Sequence, residues 1–229
     1  MTDVLSHGSA SDVVMLVNGA PLASALLRAV AHALDSAALS IAVDGGLVHA
    51  DRAGRTVDVV IGDLDSVEER ALDRARSCGS EIIEYPKEKD ATDLDLALQL
   101  VDERWTGPER PRVLLIGGHG GRTDHLLGNL LTLCAPRHER LDITVWAGDE
   151  VITVIRGSAV LQANDGRRVS LLAVHGPVTG ITTSGLRYAL TDATLASGSS
   201  RGISNEFLTH SAEIVVGGGV LLAIQSSDP

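Results

Sequence analysis

The sequence predicts an α/β domain with a mostly parallel sheet and flanking helices, followed by a smaller all-β sandwich domain. Its 229 residues are enough for two such domains. In residues 12–148, short and nearly pure apolar runs alternate with stretches of helical periodicity, which is typical of parallel strands buried on both faces. In residues 149–229 the pattern changes to short β-rich runs separated by turn signals, which is typical of a β-sandwich. Residues 1–11 are predicted to be a frayed N-terminal tail.

Strands and helices alternate in chain order in the first domain. The predicted strands are Val13–Val17, Ile41–Val43, Val57–Ile61, Ile82–Tyr85, Val113–Ile116 and Ile143–Trp146. The predicted helices are Leu22–Leu34, Val67–Ser77, Thr92–Val101 and a helix that follows a glycine-rich loop and ends at Leu133. Pro21 is suited to the start of the first helix, and Pro86 ends the fourth strand. This rhythm predicts a parallel sheet with helices on both faces.

The second domain shows strands at closer spacing and no convincing helix. Its predicted strands are Val151–Ile155, Ala159–Gln162, Val169–Val174, Val178–Thr183, Ile203–Leu208, Glu213–Val216 and Val220–Gln225. Turn signals such as Asn164-Asp165-Gly166 and Gly217-Gly218-Gly219 separate them.

Composition and charge exclude several classes of protein. Thirty acidic residues face 19 basic ones, giving a net charge of −11, and no basic footprint for nucleic acid is visible. No apolar stretch reaches the roughly 18–20 residues that a membrane span requires. The first 11 residues lack the basic start and the apolar segment of a secretory signal. Cys78 and Cys134 are far apart and form no CxxC pattern, which favours a reducing compartment and predicts a cytoplasmic protein.

Aspartates follow several of the predicted strands. Asp44, Asp63 and Asp65 come directly after strands, and Asp93 opens a helix beside Lys89. The carboxyl ends of parallel strands converge on one crevice, where several carboxylates cannot all ionise without a cation. Mg²⁺ is the natural partner and brings a phosphorylated substrate with it. An Asx turn for Asp63 and Asp65 and a solvated loop position for Lys89 remain open, whereas the helix dipole explains Asp95.

A glycine-rich loop, Gly117–Gly121, leads from a strand into a helix. Its backbone N–H groups can approach an anion, although it is neither a Walker A loop nor a GxGxxG motif. Arg122 can clamp a phosphate. Asp124 and His125 face either the site or the helix surface, and Asn129, one turn after His125, can reach the same ligand.

Polar residues interrupt two predicted strands of the second domain. Ser204-Asn205-Glu206 breaks the apolar alternation of one, and Thr183–Tyr188 is a similar interruption. Buried polar groups need partners, which are either internal turns or the heteroatoms of a ligand.

Six short motifs, in order along both domains, resemble those of bacterial thiamine pyrophosphokinases. They are Val43-Asp44-Gly45-Gly46, Gly62-Asp63-Leu64-Asp65-Ser66, Lys89-Asp90-Ala91-Thr92-Asp93, Gly117-Gly118 through Arg122-Thr123-Asp124-His125, Ser184-Gly185-Leu186-Arg187-Tyr188 and Arg201-Gly202-Ile203-Ser204-Asn205-Glu206. Any one motif is short, but six in the right order are specific.

The resemblance implies an enzyme with ATP and thiamine as substrates and Mg²⁺ as cofactor. The thiamine hydroxyl attacks the β-phosphorus of ATP, which gives thiamine diphosphate and AMP. The resemblance also implies a homodimer, in which the nucleotide lies on the α/β domain and thiamine lies at the junction with the β domain of the partner subunit.

Matching the motifs residue by residue assigns the implied site. Asp44, Asp63, Asp65 and Asp93 are implied to hold Mg²⁺ and orient the pyrophosphate, and one of them can accept the hydroxyl proton. The implied nucleotide and phosphate ligands are Asn18, Gly19, Gly45, Gly46, Lys89, Gly117, Gly118, Arg122, Asp124, His125 and Asn129. The implied thiamine ligands are Ser204 and Asn205, which meet the aminopyrimidine, and the candidate stacking rings Phe207 and Tyr188.

Two other functions are open from the sequence. A pyrophosphokinase acting on another heterocyclic alcohol, such as a pterin, would keep the aspartate crevice but not the Arg201–Glu206 motif. A non-catalytic thiamine or nucleotide sensor would be expected to lose carboxylates, whereas all four are present here. Both observations favour the thiamine enzyme.

Overall fold

The computed structural model describes residues 11–163 and 167–226. The predicted N-terminal tail, except Ser11, and the predicted turn at Asn164-Asp165-Gly166 lie outside these residues. The described chain forms two compact units. The α/β unit comprises residues 11–129 and 146–148, and the β unit comprises residues 130–145, 149–163 and 167–226. None of the helices in the described chain combines the length and apolar character needed to cross a membrane.

Five parallel strands form the sheet of the α/β unit. They are β1 Val13–Val17, β2 Leu39–Val43, β3 Val59–Gly62, β4 Glu81–Glu84 and β5 Arg112–Gly117. Their order is β4-β3-β2-β1-β5, and each neighbouring pair is parallel. The helices of the described chain are α1 Ser24–Ser36, α2 Leu47–Ala53, α3 Glu69–Ser77, α4 Asp93–Arg104 and α5 Thr123–Leu133. The parallel sheet with helices is therefore confirmed.

Helix α2 was not predicted from the sequence. It follows a 3-10 turn over Asp44–Gly46 and ends before Gly54, which adopts the left-handed conformation at φ 67°. A helix of 7 residues is too short to show two full turns of periodicity. Helix propensity alone does not reveal such an element, because packing against the sheet stabilises it.

The apolar core of the α/β unit explains the strand and helix pattern. Every residue of β1 is buried, as expected for a central parallel strand. In α1 the buried residues Leu26, Val30 and Leu34 follow each other at intervals of four, so they form one face that packs in the same cluster as Val14 and Leu16.

The order in which successive strands are added to the sheet reverses at β1, although all five strands remain parallel. Strands β2, β3 and β4 extend from one side of β1, whereas β5 pairs on its other side. Val17 is the register partner of both Val43 and Gly117, so three strand ends lie side by side. In open α/β sheets, ligands bind in the crevice at such a switch point.

The β unit is built from antiparallel strands. They are β7 Glu150–Ile155, β8 Ser158–Gln162, β9 Arg168–Ser184, β10 Ala193–Leu195, β11 Asn205–Glu206, β12 Ser211–Val215 and β13 Gly218–Ser226. The strand β6, Asp142–Ala147, crosses the division between the two units. Within residues 149–163 and 167–226 there are strands and turns but no α-helix. Phe207 and Leu221 belong to the buried apolar cluster of this unit.

One prediction of two separate strands was wrong. Val169–Val174 and Val178–Thr183 belong to the single strand β9, which pairs first with β13 and then with β12. His175 and Gly176, at φ 60° and 140°, bend the strand without ending it, and the register with β13 shifts there. A turn signal in the sequence does not distinguish a bulge from a loop.

The predicted strand Ile203–Leu208 was also wrong. Residues 201–204 form turns, and only Asn205–Glu206 are paired as strand β11 with β9. Ser204 has φ 58°, which no extended strand accommodates. The polar residues that interrupt the predicted strand thus mark a turn. Strand β10 was not predicted, because it has only 3 residues.

Candidate active site

Three of the predicted aspartates meet at the carboxyl ends of the strands. Asp44 follows β2, Asp63 follows β3, and Asp93 is the first residue of α4. One carboxylate oxygen from each lies within 4.8 Å of those of the other two, and all three residues are half-buried. In the described part of the chain, this arrangement offers the oxygen ligands that a hard divalent cation prefers.

The backbone around Asp44 is strained in order to place its carboxylate. Asp44 and Leu64 both have left-handed backbones, at φ 47° and 59°, and the Leu64 N–H donates to Asp44 Oδ1 at 3.1 Å. Gly62 has φ 152°, and a Cβ at this position would overlap Asp44 Oδ1. Such strain is typical of functional sites. Glycine is therefore required at position 62, because the carboxylate of Asp44 approaches the backbone there.

Lys89 lies beside the carboxylates. Its Nζ is 3.1 Å from Asp93 Oδ1 and 3.7 Å from Asp63 Oδ2, and it donates to the Pro86 carbonyl at 3.0 Å. The side chains of all three charged residues are less than a fifth exposed, at 14%, 15% and 17% for Lys89, Asp63 and Asp93. Among the residues that the structure describes, the buried Asp93 Oδ1 has no hydrogen bond of good geometry, although Lys89 is within ion-pair distance. This oxygen is thus available to a cation.

The electrostatics of the cluster favour a proton or a cation. Burial, together with the negative charges of Asp93 and Asp63, raises the pKa of Asp44 from 3.8 to about 6, while the Leu64 N–H acts in the opposite direction. Desolvation and like charges both penalise the ionised carboxylate. A divalent cation would remove this penalty by neutralising the group.

This pKa shift predicts how pH changes stability without metal. Asp44 has a pKa of about 6 in the folded protein and 3.8 as an ordinary aspartate, so the folded state holds the proton more tightly. This group therefore stabilises the folded protein fully below pH 3.8, and the stabilisation is lost as pH rises through about 6. The loss in the free energy of unfolding should be about 1–2 kcal/mol after solvent screening. Thermal unfolding in EDTA should show this loss in wild type, and the Asp44→Asn variant should lack it. Equal slopes for the two proteins would contradict the assignment.

Asp65 lies outside the cluster. Its side chain is half exposed and pairs with Nζ of Lys87, and the hydrogen bond from Lys87 lowers the pKa of Asp65. Its N–H donates to Asp63 Oδ1 at 3.2 Å, which is an Asx turn. Two residues apart point the same way only on an extended chain, and the left-handed backbone of Leu64 breaks that geometry.

The predicted nucleotide loops meet at the switch point. The Ala20 N–H donates to the His119 carbonyl at 2.7 Å, which joins the loop after β1 to the loop after β5. A Cβ on Gly19 would lie 2.9 Å from the Gly118 nitrogen, and one on Gly45 would lie 2.8 Å from Asn18 Cγ. The structure thus brings together the predicted residues Asn18, Gly19, Gly45, Gly46, Gly117 and Gly118.

The predicted residues at the start of α5 are more exposed. Arg122 donates to Asp124 through Nε at 3.1 Å and through Nη2 at 2.6 Å, and both side chains are solvent-exposed. These hydrogen bonds lower the pKa of Asp124 to about 2. His125 is exposed and Asn129 is half-buried. Arg122 is therefore held near the glycine-rich loop by Asp124.

In the β unit, two of the four predicted thiamine residues are engaged internally. Asn205 is buried; its Oδ1 accepts from the Tyr188 N–H at 3.0 Å, and its Nδ2 donates to the Tyr188 carbonyl at 2.9 Å. Phe207 is buried in the apolar cluster of the β unit. The partners of the polar Asn205 side chain are therefore internal, because its amide atoms bind the backbone of Tyr188.

The other two predicted thiamine residues lie at the surface. Ser204 is exposed, and its N–H donates to Ser170 Oγ at 3.1 Å. The Tyr188 side chain is 60% exposed, and the Arg187 guanidinium lies 5.8 Å from the centroid of its ring. Asn205 therefore positions a loop that presents the Tyr188 ring.

Sequence reasoning did not single out two histidines near the site. His49, on α2, is fully buried, and His119 lies within the glycine-rich loop. A polar residue at a buried position of the apolar stretch Leu47–Ala50 was a signal that could have identified His49.

An α/β fold with a carboxylate cluster and a lysine at its switch point is typical of enzymes that act on phosphorylated substrates. The family model for the thiamin pyrophosphokinase catalytic domain matches residues 30–145, and the model for the thiamin pyrophosphokinase vitamin B1 binding domain matches residues 158–221. The chain belongs to the thiamin pyrophosphokinase family.

The chain is similar to known sequences and solved structures of this family. Thiamine pyrophosphokinase of Bacillus subtilis is 30% identical over 197 residues, which cover 85% of this chain and 90% of that protein. A crystal structure of the Bacillus subtilis thiamine pyrophosphokinase aligns with a TM-score of 0.78 at 26% identity, covering 95% of this chain and 99% of the other. A thiamin pyrophosphokinase family protein from Enterococcus faecalis aligns with a TM-score of 0.79 at 26% identity, covering 96% and 100% of the two chains.

Proposed function

We propose that the protein is a thiamine pyrophosphokinase that transfers the pyrophosphoryl group of ATP to the hydroxyl of thiamine, giving thiamine diphosphate and AMP. The observation that carries this proposal is the cluster of Asp44, Asp63 and Asp93 with Lys89 at the switch point, in a chain that belongs to this family. Phosphoryl chemistry depends mainly on positioning and charge neutralisation, which this site supplies.

The donor set fits Mg²⁺. Three carboxylate oxygens within 4.8 Å of one another offer hard ligands, and the raised pKa of Asp44 reflects burial and the neighbouring negative charges, which a cation would offset. Bound Mg²⁺ would neutralise the phosphate oxygens of ATP. Lys89, held between Asp63 and Asp93, would add a second positive charge on the transferred group. We propose that Asp65 joins this set from the rim once its ion pair with Lys87 opens.

The nucleotide would lie across the joined loops of β1 and β5. Backbone N–H groups of the glycine-rich loop would approach the phosphates there. Arg122, held by Asp124, would reach the phosphates from the start of α5, with His125 and Asn129 on the same helix. Residues 12–148 form the nucleotide and metal domain in this proposal.

Residues 149–229 form the thiamine-binding domain in this proposal, as a β-sandwich. The change of partner along β9, from β13 to β12, supports two sheets, and the vitamin B1 binding model covers most of the domain. Tyr188 would stack on thiamine and Ser204 would meet its aminopyrimidine. Asn205 and Phe207 would support this surface from within, since both are buried.

We also propose a homodimer with the active site at the subunit interface. The side chains of Leu127 and Leu131 on α5 are 58% and 40% exposed, and they lie four residues apart on one helical face. Exposed apolar patches of this kind mark protein interfaces. A cytoplasmic location is proposed as well, supported by the free thiols of Cys78 and Cys134.

An assay with ATP, Mg²⁺ and thiamine tests the proposed function. Separation of the nucleotide products should show AMP, formed together with thiamine diphosphate. ADP with thiamine monophosphate would instead make the protein a simple kinase. Absence of turnover, with thermal stabilisation by thiamine, would favour a sensor.

The Ser204→Ala variant tests the position of thiamine. Removing one hydroxyl from an exposed turn should raise the KM for thiamine about three- to tenfold, the effect of one hydrogen bond, and leave the KM for ATP unchanged. Steady-state kinetics with each substrate varied in turn will measure this, with Ser200→Ala, at an exposed position, as the control. A change confined to ATP would place the substrates on the opposite domains.

A further inference from the structure

Two histidines beside the nucleotide loops carry ring nitrogens that the proposed chemistry does not use. His49 is fully buried, and within the described residues neither Nδ1 nor Nε2 makes a hydrogen bond of good geometry, although the Val17 carbonyl is close enough to influence the ring. Nδ1 of His119 is also buried and unpaired there. Buried polar atoms almost always have well-formed hydrogen bonds, so a fully buried imidazole that lacks them calls for an explanation in terms of function.

His49 lies at the junction of β1 and β5. A Cβ built on Gly117 would be 3.5 Å from His49 Nε2, and the same Cβ would overlap the Val17 carbonyl oxygen. Val17 and Gly117 are register partners and are the last residues of their strands. The imidazole is therefore packed against the point from which both nucleotide loops depart.

The same histidine is tied to the aspartate cluster through the chain. It sits on α2, which begins directly after the turn Asp44–Gly46. A shift of α2 would thus move Asp44 relative to the loops after β1 and β5. His49 is placed where it can hold the metal-binding segment and the nucleotide loops in a fixed relation.

The environment of His49 selects the neutral imidazole. Burial lowers its pKa first, and the positive charges of Arg52 and His119 lower it further, while the Val17 carbonyl acts in the opposite direction. A neutral imidazole has one donor and one acceptor. It can therefore bind a carbonyl and an N–H group at once without placing a charge next to the phosphates.

We infer that His49 is a positioning residue of the nucleotide site, which sets the separation of the loops after β1 and β5 and completes its hydrogen bonds when a nucleotide orders those loops. The inference rests on the proposed function, because it takes ATP as the ligand of this crevice. His49 would then contribute to nucleotide binding but not to stability, because its poorly bonded ring nitrogens destabilise the nucleotide-free protein.

The test compares two buried histidines. The His49→Leu variant removes two buried nitrogens that lack a well-formed hydrogen bond and keeps a similar volume, so its Tm should equal or exceed that of wild type. Its Kd for MgADP, measured by calorimetry without thiamine, and its KM for ATP should rise at least about tenfold, and its KM for thiamine should stay within about twofold. The control is His138→Leu, in the turn Pro136–His138, where the histidine is buried but has a partner. This variant should lower Tm without a selective effect on the nucleotide.

A conservative variant keeps the test decisive. The His49→Gln side chain supplies a donor and an acceptor, so its affinity for MgADP should lie between those of wild type and His49→Leu. If His49→Leu does not fold, weaker MgADP binding by His49→Gln with an unchanged KM for thiamine supports the inference, and unchanged MgADP binding overturns it.

Other outcomes overturn the inference directly. A stable His49→Leu protein with normal affinity for MgADP overturns the inference and leaves the proposed function intact. A lower Tm, together with parallel changes in the KM values for ATP and thiamine, also overturns the inference, because it indicates a purely structural histidine. A wild-type protein that forms no AMP and does not bind MgADP overturns the proposed function, and the inference with it.

Discussion

The Asp63→Asn variant should lose at least about a hundredfold in turnover while keeping its fold. Asp63 contributes one of three carboxylate oxygens within 4.8 Å of one another, and it also faces Lys89 Nζ at 3.7 Å. Removing its charge weakens cation binding and the charge stabilisation of the transferred group, which is worth several kcal/mol. The fold should persist, because asparagine can still accept the Asp65 N–H that closes the turn. Turnover at saturating Mg²⁺ and the circular dichroism spectrum will measure the two effects.

Two further aspartates calibrate this result. Asp73→Asn is the matched control, since Asp73 is exposed on α3 and forms an ion pair with Arg76 on the same helix. Turnover of this variant should be normal. Asp65→Asn shows whether the rim carboxylate reaches the metal in the complex: a loss as large as that of Asp63→Asn places Asp65 in the metal site, and a small loss removes it. Normal turnover of Asp63→Asn would contradict the metal site itself.

The Lys89→Met variant should also lose about a hundredfold in turnover. The Lys89 side chain is only 14% exposed, and its ammonium group lies 3.7 Å from Asp63 and 3.1 Å from Asp93. Methionine keeps most of the length of the side chain but cannot neutralise a phosphate oxygen, whose charge must be balanced as the pyrophosphoryl group moves. The loss should appear in kcat, because the interaction strengthens in the transition state.

Lys87→Met separates this effect from a general loss of positive charge. Lys87 is two residues away, is 76% exposed and pairs with Asp65 at the rim. Its replacement should change kcat by less than about fivefold, in line with the small energies of surface ion pairs. Equal losses in the two variants would show that the position of Lys89 between the aspartates has no special importance.

The sequence predicted the convergence of the site better than the position of each residue in it. Asp44, Asp63 and Asp93 meet because parallel strands end at one edge, and this follows from the order of elements alone. Asp65 does not join them in the structure, because Leu64 adopts a left-handed backbone that no pattern of residue types reveals. Strand ends are thus predictable where single dihedral angles are not.

In the β unit the limit was the distinction between a site residue and its support. Asn205 and Phe207 belong to the same motif as Ser204, yet they are buried and engaged internally, whereas Ser204 is exposed. Periodicity could not separate them, since the motif forms a turn and not the predicted strand. His49 was missed for a related reason, because only the packing around Gly117 shows that it lies at the strand ends.

Strand β9 cannot acquire its longest partner until residues Gly218–Ser226 have left the ribosome, because that segment forms β13. The parallel sheet of the α/β unit needs nothing beyond Gly117 for its five strands. During synthesis the α/β unit can therefore form its sheet while β9 still lacks its partner β13. Non-local pairing of this kind is slow and leaves unpaired edges exposed. Early chain termination within β13 should consequently yield aggregation-prone protein even though every aspartate of the site is already in place.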